Sequence, residues 1–278
     1  MNVAKLEKAA YWLSESDGLL INAGAGMGVD SGLPDFRGNV GFWRAYPALR
    51  NANLSFVEMA DPTWFSKNPR LAWGFYGHRL ELYRKTMPHY GFSILKRWSK
   101  SLDKGSMIFT SNVDGQFQAA SFDSDAVYEC HGSIHHLQCS RPCSSEIWSA
   151  DAFMPMIDED SSLLLNELPA CPSCGAVARP NILMFNDDSW IGARSDEQEV
   201  KLLNWLKNVQ NPLVIEVGAG TSIPSVRSFS KDACEKFGAR LVRINLRESE
   251  VTCIEGVGLE LGALDGLRSV DQIFNAHN

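Results

Sequence analysis

Leu19-Leu20-Ile21-Asn22-Ala23-Gly24-Ala25-Gly26-Met27-Gly28-Val29-Asp30-Ser31-Gly32-Leu33-Pro34-Asp35-Phe36-Arg37-Gly38 begins as a short apolar run and breaks into glycines and then into a polar loop. The run reads as a buried strand and the glycines as its turn. Upstream, Val3, Leu6, Ala9, Ala10 and Leu13 recur at helical spacing, and Gly18 separates that helix from the strand. Glycines directly after a strand let the backbone approach a pyrophosphate closely and leave amide N–H groups free to bind it. The usual dinucleotide fingerprint is not met, because Gly24 and Gly26 fit but Val29 stands at the third glycine position. On the glycines alone, a tight turn and a ligand-binding turn both remain open. Arg37 is suited to a bidentate phosphate contact, and equally to a solvated loop.

Further short apolar runs ending in small or polar residues lie at Met107–Thr110, Pro212–Val217 and Arg240–Asn245, with helical patterns between them such as Gln198–Val209. This alternation predicts an α/β fold built on a parallel sheet with helices on both faces. Two stretches do not fit it. Residues 42–98 hold 13 of the 28 aromatic residues, and residues 131–185 hold four of the seven cysteines with little helical periodicity. Both read as insertions into the sheet, leaving a cleft between a large and a small domain. Asp151–Leu168 is acidic and weakly patterned and reads as a surface excursion.

Composition narrows the class. The chain has 278 residues, 45% hydrophobic and 21% charged, with a formal charge of −7. That excludes a disordered or coiled-coil protein and argues against a general nucleic-acid binder. No apolar run approaches the roughly 18 residues that a membrane helix needs. Lys5, Glu7 and Lys8 interrupt the apolar pattern of the N-terminal segment, so it reads as an amphipathic helix and not a signal peptide. An odd count of seven cysteines, in a chain large enough to fold without disulfides, makes a reducing cytoplasm the expected compartment.

Polar groups gather where the strands end. Thr110-Ser111-Asn112-Val113-Asp114 follows the second strand, and His131-Gly132 comes soon after. Ligands of doubly wound sheets sit at such carboxyl ends. Ser111, Asn112 or Asp114 would also serve as a helix cap, and His131 is either a structural histidine or a base working near neutral pH. Gly218-Ala219-Gly220-Thr221-Ser222 and Asn245-Leu246-Arg247-Glu248 repeat the pattern after the third and fourth strands. Cys139-x3-Cys143 and Cys171-x2-Cys174 are separated by 27 residues, and two such pairs complete a closed, structural zinc tetrahedron. The alternatives are a redox dithiol or buried thiols. Cys130, Cys234 and Cys253 read as small core residues.

In this order, the blocks resemble the sirtuin family of NAD-dependent protein deacylases. The match runs through Gly24–Gly38, Thr110–Asp114, His131-Gly132, the two cysteine pairs, Arg179–Phe185, Gly220–Ser222 and Ile244–Glu248. The resemblance implies a Rossmann-like NAD-binding domain of residues 1–41, 99–130 and 186–278. It also implies a small domain made of a helical module, 42–98, and a zinc module, 131–185. Zinc would be held by Cys139, Cys143, Cys171 and Cys174.

NAD, as cosubstrate, would be held by Gly24, Ala25, Gly26, Asp35, Phe36, Arg37, Ser111, Asn112, Asp114, Gly220, Thr221, Ser222 and Asn245. Within that set, Phe36 would shield the ribose, Asn112 would order it with a water, and Asp114 would take the nicotinamide carboxamide. His131 would be the general base. In the family chemistry the acyl oxygen attacks the ribose C1′ as nicotinamide leaves, and the acyl group departs on ADP-ribose. An acyl-lysine protein or peptide would run along Met184, Phe185 and Asn186 as an added strand. Nucleic acid and membrane are not expected partners.

Two positions depart from the family: Gly28 replaces a small side chain, and Ser111 replaces a longer Gln that helps hold NAD. The same fold also supports an ADP-ribosyltransferase or NAD hydrolase, which the retained His131 disfavours. Tyr76 and Arg79 are three residues apart, on one face if the segment is helical, and an amphipathic helix with an exposed Arg is the alternative. They resemble the Tyr-x-x-Arg of sirtuins that prefer succinyl or malonyl groups.

Overall fold

The computed structural model describes residues 2–34, 46, 49–50, 54–158, 160–253 and 255–277. Asn2 caps the first helix, Val3–Ser14, by accepting from the Lys5 amide. That helix leads into β1 (Gly18–Ala23), buried along its whole length. The strands that follow are β2 (Ser106–Thr110), β3 (Val127–Glu129), β4 (Gly132–Cys139), β5 (Ile147–Ser149), β6 (Ile157–Asp158), β7 (Leu163–Leu164), β8 (Ala178–Ile182), β9 (Pro212–Val217), β10 (Arg240–Ile244) and β11 (Gly256–Leu259).

Six strands form one sheet in the order β11-β10-β9-β1-β2-β3, and every pairing in it is parallel. Side chains alternate across a strand, so both faces of a buried parallel sheet need cover. Leu19, Ile21 and Ala23 face the helices Val3–Ser14, Tyr90–Ser101 and Ala263–His277. Leu20, Val214 and Leu241 face the helices Ala193–Leu206 and Ser225–Phe237. From β1 the chain proceeds to β2 and β3 on one side, while β9, β10 and β11 lie on the other. The connections therefore diverge between β1 and β9, which opens a crevice at their carboxyl ends.

A second body stands over that crevice. Strands β5, β4 and β8 form an antiparallel sheet. It packs on the aromatic helix Pro69–Lys85, where Trp73, Phe75 and Tyr76 share a core with Ile134, Leu137 and Ala178. The Trp73 indole N–H donates to the Ala178 carbonyl at 2.8 Å. Arg179 and Asp187 make a bidentate pair at 2.7 and 2.9 Å, with both side chains buried. Among the described residues, no helix is long and apolar enough to cross a membrane.

Three expectations need correction. Asp151–Leu168 lies at the surface but is not irregular: β6 and β7 form a hairpin that packs on the aromatic helix. Gly74 makes this possible, since a Cβ there would lie 1.8 Å from the Ser162 carbonyl oxygen. The helix expected over Gln198–Val209 runs instead from Ala193 to Leu206, its first turn being polar and so lacking an apolar signal. Cys130, Cys234 and Cys253 are half-buried and pack against the edge of the core rather than inside it.

Candidate functional site

The turns after β1 and β9 lie against each other at the crevice. The Gly26 amide donates to the Gly218 carbonyl at 3.0 Å, and the Gly24 amide donates to the Val217 carbonyl at 3.0 Å. Gly218 has φ +65°, and a Cβ on it would lie 2.3 Å from the Met27 nitrogen. Only glycine satisfies both conditions. The turn after β2 joins them, because the Asn112 side-chain amide donates to the Gly24 carbonyl at 3.0 Å. The turn after β10 closes the set: the Asn245 amide group donates to the Ala219 carbonyl at 2.7 Å, and its oxygen accepts from the Arg247 and Glu248 amides.

These turns floor a cavity of about 700 Å³ that extends up to the aromatic helix and the end of β8. Of the residues expected to hold NAD, Gly24, Ala25, Ser111, Asn112 and Asp114 line it, and Gly220, Thr221 and Ser222 line it from the facing turn. His131, Tyr76, Arg79, Met184 and Phe185 line it as well. Gly26 and Asn245 act one layer behind, through the turn-to-turn bonds just described. Asn186 is directed elsewhere: its side chain reaches Asp61 at 3.4 Å, and its φ is +54°. The Phe185 amide already donates to the Ala60 carbonyl at 2.9 Å and the Met184 amide to Asp187 at 3.2 Å. Asp35, Phe36 and Arg37 lie outside the described residues.

The electrostatics separate the groups in the cavity. Burial pushes His131 down, while the Ser111 backbone carbonyl pulls it back up, so the ring is a neutral acceptor at pH 7. Burial, with the nearby Glu129 charge adding to it, raises Asp114 to about 6, against the amide of Gln116 and the charge of Arg79. Arg79 is itself buried and donates through Nε and Nη2 to the Tyr83 hydroxyl at 3.0 and 2.8 Å.

The raised carboxyl has a consequence for stability. The folded state holds the Asp114 proton more tightly than the unfolded chain does. Its contribution is therefore complete below about pH 4 and is lost as pH rises through about 6. Asp114→Asn should be more stable than wild type by about 1–3 kcal/mol at pH 7.5, with the difference vanishing near pH 4. Paired denaturant melts at the two pH values measure this.

Sequence reasoning passed over three side chains of this site. Tyr83 follows Arg79 by four residues on one helix face, a spacing that carries the signal. Arg227 donates to the Ala219 carbonyl at 3.0 Å and to the Glu248 carbonyl at 2.6 Å, tying two turns together. Ser225 Oγ lies 3.2 Å from His131 Nε2. A serine in a Ser-rich loop carries no such signal.

At the far end of β4 stand Cys139, Cys143, Cys171 and Cys174, their sulfurs all within 4.8 Å of one another. The Cys139–Cys174 and Cys143–Cys171 separations are both 3.6 Å. A zinc tetrahedron with arms of roughly 2.3 Å has edges of about 3.8 Å, so the tetrad fits a structural zinc.

A doubly wound parallel sheet, a second body with a cysteine tetrad that fits zinc, and polar strand ends converging on one cavity define an α/β fold of the Rossmann-like kind. A sequence model of the Sir2 family matches residues 24–215, and the chain belongs to that family. The NAD-dependent protein deacylase of Aquifex aeolicus (strain VF5) is 28% identical over 247 residues, spanning 89% of this chain and 91% of the relative. That of Pyrococcus furiosus is 28% identical over 242 residues, spanning 87% of each. Among solved structures, a Sir2 homolog–NAD complex aligns over 100% of this chain and 96% of its own, with 22% identity and a TM-score of 0.73. Sir2Tm bound to a propionylated peptide aligns over 94% and 95%, with 20% identity and a TM-score of 0.67.

Proposed function

We propose that this chain removes acyl groups from protein lysines at the expense of NAD, releasing nicotinamide and O-acyl-ADP-ribose. One observation carries the reading: a single cavity at the switch point brings His131, Asn112 and Asp114 together with the turns at Gly24 and Gly220. The cavity fits a dinucleotide, because backbone of two glycine turns forms its floor and leaves room for phosphates. Residues 1–41, 99–130 and 186–278 act as the nucleotide-binding unit, and residues 42–98 and 131–185 as the unit that presents the acyl-lysine.

In this reading Asn112 orients the ribose from its anchored position on Gly24, and Asp114 accepts from the carboxamide of the nicotinamide ring. His131, kept neutral by burial, takes the proton from a ribose hydroxyl. Met184 and Phe185 flank the substrate at the cavity mouth, and Asn186 steadies that edge through Asp61. Incubation with NAD and an acyl-lysine peptide tests this. Nicotinamide with O-acyl-ADP-ribose supports it, whereas free or protein-bound ADP-ribose supports the NAD hydrolase or transferase reading.

The acyl group preferred is acidic, a succinyl or malonyl chain. Tyr76, Arg79 and Tyr83 line the part of the cavity opposite the turns, and a guanidinium there pairs with a carboxylate through charge-assisted hydrogen bonds. Losing such a pair in a desolvated site costs roughly 2–5 kcal/mol. Arg79→Met should therefore lower kcat/KM for a succinyl peptide by about thirty-fold or more and leave the acetyl peptide within a small factor. Equal, small effects on both peptides would remove the acidic preference without touching the deacylase reading.

A further inference from the structure

His89 is buried, does not line the cavity and takes no part in the proposed chemistry, yet it touches the turn that floors the nucleotide site. It caps the helix Tyr90–Ser101, its Nδ1 accepting from the Gly91 amide at 3.0 Å. On the other side of the ring, Nε2 meets the Met27 carbonyl at 2.9 Å. An amide only donates and a carbonyl only accepts, so both bonds form together only when the ring proton is on Nε2. Burial lowers the ring's affinity for a proton and Arg268 adds to this, against the Met27 carbonyl and the charge of Asp30. A cation at a helix N-terminus is also disfavoured. The ring is therefore neutral at pH 7, and its two partners dictate one tautomer. Gly91 lets the ring fold back, since a Cβ there would lie 2.5 Å from His89 Cε1. The His89 amide donates to Ser31 Oγ at 2.9 Å, a second bond to the same stretch of chain.

We propose that His89 is a positioning residue for the nucleotide: its Nε2–H holds the Met27 carbonyl and so fixes the turn whose Ala25 amide receives a phosphate oxygen. The proposal rests on the reading of that turn as the floor of the NAD site. Within the turn, the Gly24 and Gly26 amides donate to the Val217 and Gly218 carbonyls, and the Met27 and Gly28 amides to the Gly24 and Ala25 carbonyls. Ala25 is exposed and lines the cavity, and its amide is the donor that those bonds leave for a ligand. The bonds to Val217 and Gly218 hold the turn at its start, and His89 holds its end. A turn held at both ends is already ordered when the ligand arrives, so less binding energy is lost in ordering it. His89 also lies in the short link from the aromatic helix Pro69–Lys85 to Tyr90–Ser101, so the helix that carries Tyr76 and Arg79 is joined to the nucleotide floor through it.

Two variants separate the tether from the cap. In His89→Asn the side-chain oxygen stands in for Nδ1 and keeps the cap, but the side chain is too short to reach Met27. In His89→Gln the amide nitrogen stands in for Nε2 and keeps the tether, while the cap is lost. Each variant gives up one bond and part of a buried ring, so both should lose about 2–4 °C of Tm. A merely structural role therefore predicts the same ligand affinity in both. Calorimetric titration with ADP-ribose, which carries the pyrophosphate without the nicotinamide, should instead split them. Its Kd should be about threefold to tenfold weaker in His89→Asn, the worth of one hydrogen bond, and near wild type in His89→Gln. KM for NAD should rise by a similar factor in His89→Asn, with kcat at saturating NAD within about twofold. In ligand-free protein, the Gly26, Met27 and Gly28 amides should exchange faster in His89→Asn and at the wild-type rate in His89→Gln. A wild-type Kd or wild-type amide exchange in His89→Asn, or an equal loss of affinity in both variants, would overturn the proposal and leave the NAD reading intact. A wild type that binds neither NAD nor ADP-ribose would overturn the NAD reading and this proposal with it.

Discussion

His131→Ala should deacylate an acyl-lysine peptide about 10²–10⁴ times more slowly than wild type while still binding NAD. The size follows from what the ring does. Among the described residues it is the one imidazole lining the cavity, burial favours its neutral form, and in the proposed mechanism a ribose hydroxyl would have no other base of matched strength beside it. The fold should barely register the loss. His131 lies between β3 and β4, outside the three buried clusters that hold the two bodies together. Single-turnover rates with NAD and peptide, set beside calorimetric NAD binding, check both halves. Wild-type turnover in the variant would remove His131 from the mechanism.

The second large effect is metal loss. Purified protein should contain one zinc per chain, and strong chelation, or Cys171→Ser, should lower Tm by roughly 10–15 °C, the equivalent of several kcal/mol in a chain of this size. Cys171 is buried, and Cys139 pairs with Ala178 at the far end of the β4–β8 ladder. Without metal the two cysteine-bearing loops beyond that end of the ladder have four thiols in place of a cross-link. The strand Gly132–Cys139 spans eight residues, so the tetrad stands roughly 20 Å from the His131 end, too far for a Lewis-acid role in the proposed reaction. Activity should decline only as the ladder loosens. Metal analysis with melts before and after chelation tests this, and zinc-free protein with an unchanged Tm would leave the cysteines as plain thiols.

Much of this was readable from residue order, and the failures have physical causes. Strands β1, β2, β9 and β10 are buried on both faces, so they appear as mainly apolar runs closed by polar residues, with Asn22 and the paired Glu216 and Arg243 as the buried polar exceptions. Strand β3 is three residues long, and β11, Gly256-Val257-Gly258-Leu259, alternates glycine with aliphatic residues, so neither stands out from loop. The hairpin of β6 and β7 was illegible because its burial is provided by glycine on a distant helix, a tertiary fact with no local trace. The site shows the same division. Asn112, Asp114 and His131 sit at strand ends, where position itself predicts function, and the cysteine pairs declare their geometry by spacing. Tyr83 lies one helical turn from Arg79, a spacing the sequence does display, whereas Ser225 meets His131 and Arg227 meets the Glu248 carbonyl across long stretches of chain, and nothing in their neighbours' identities announces those contacts.

One feature of the ladder bears on how such a protein changes over time. The excursion that starts after His131 ends where it began: the Leu183 amide donates to the His131 carbonyl at 3.0 Å, and Gly132 faces Ile182. Exit and return are neighbours, and the Ile134 amide and His135 bond the Val113 and Asp114 carbonyls close to the same end, so the sheet below does not sense how much chain lies beyond these contacts. Residues can be added to or trimmed from the stretch between the cysteine pairs, or the whole excursion exchanged for another of different length, with the joint kept. The arrangement behaves as a cassette on a hinge pin. Innovation in what is recognised can proceed inside the cassette while the machinery beneath it stays in register.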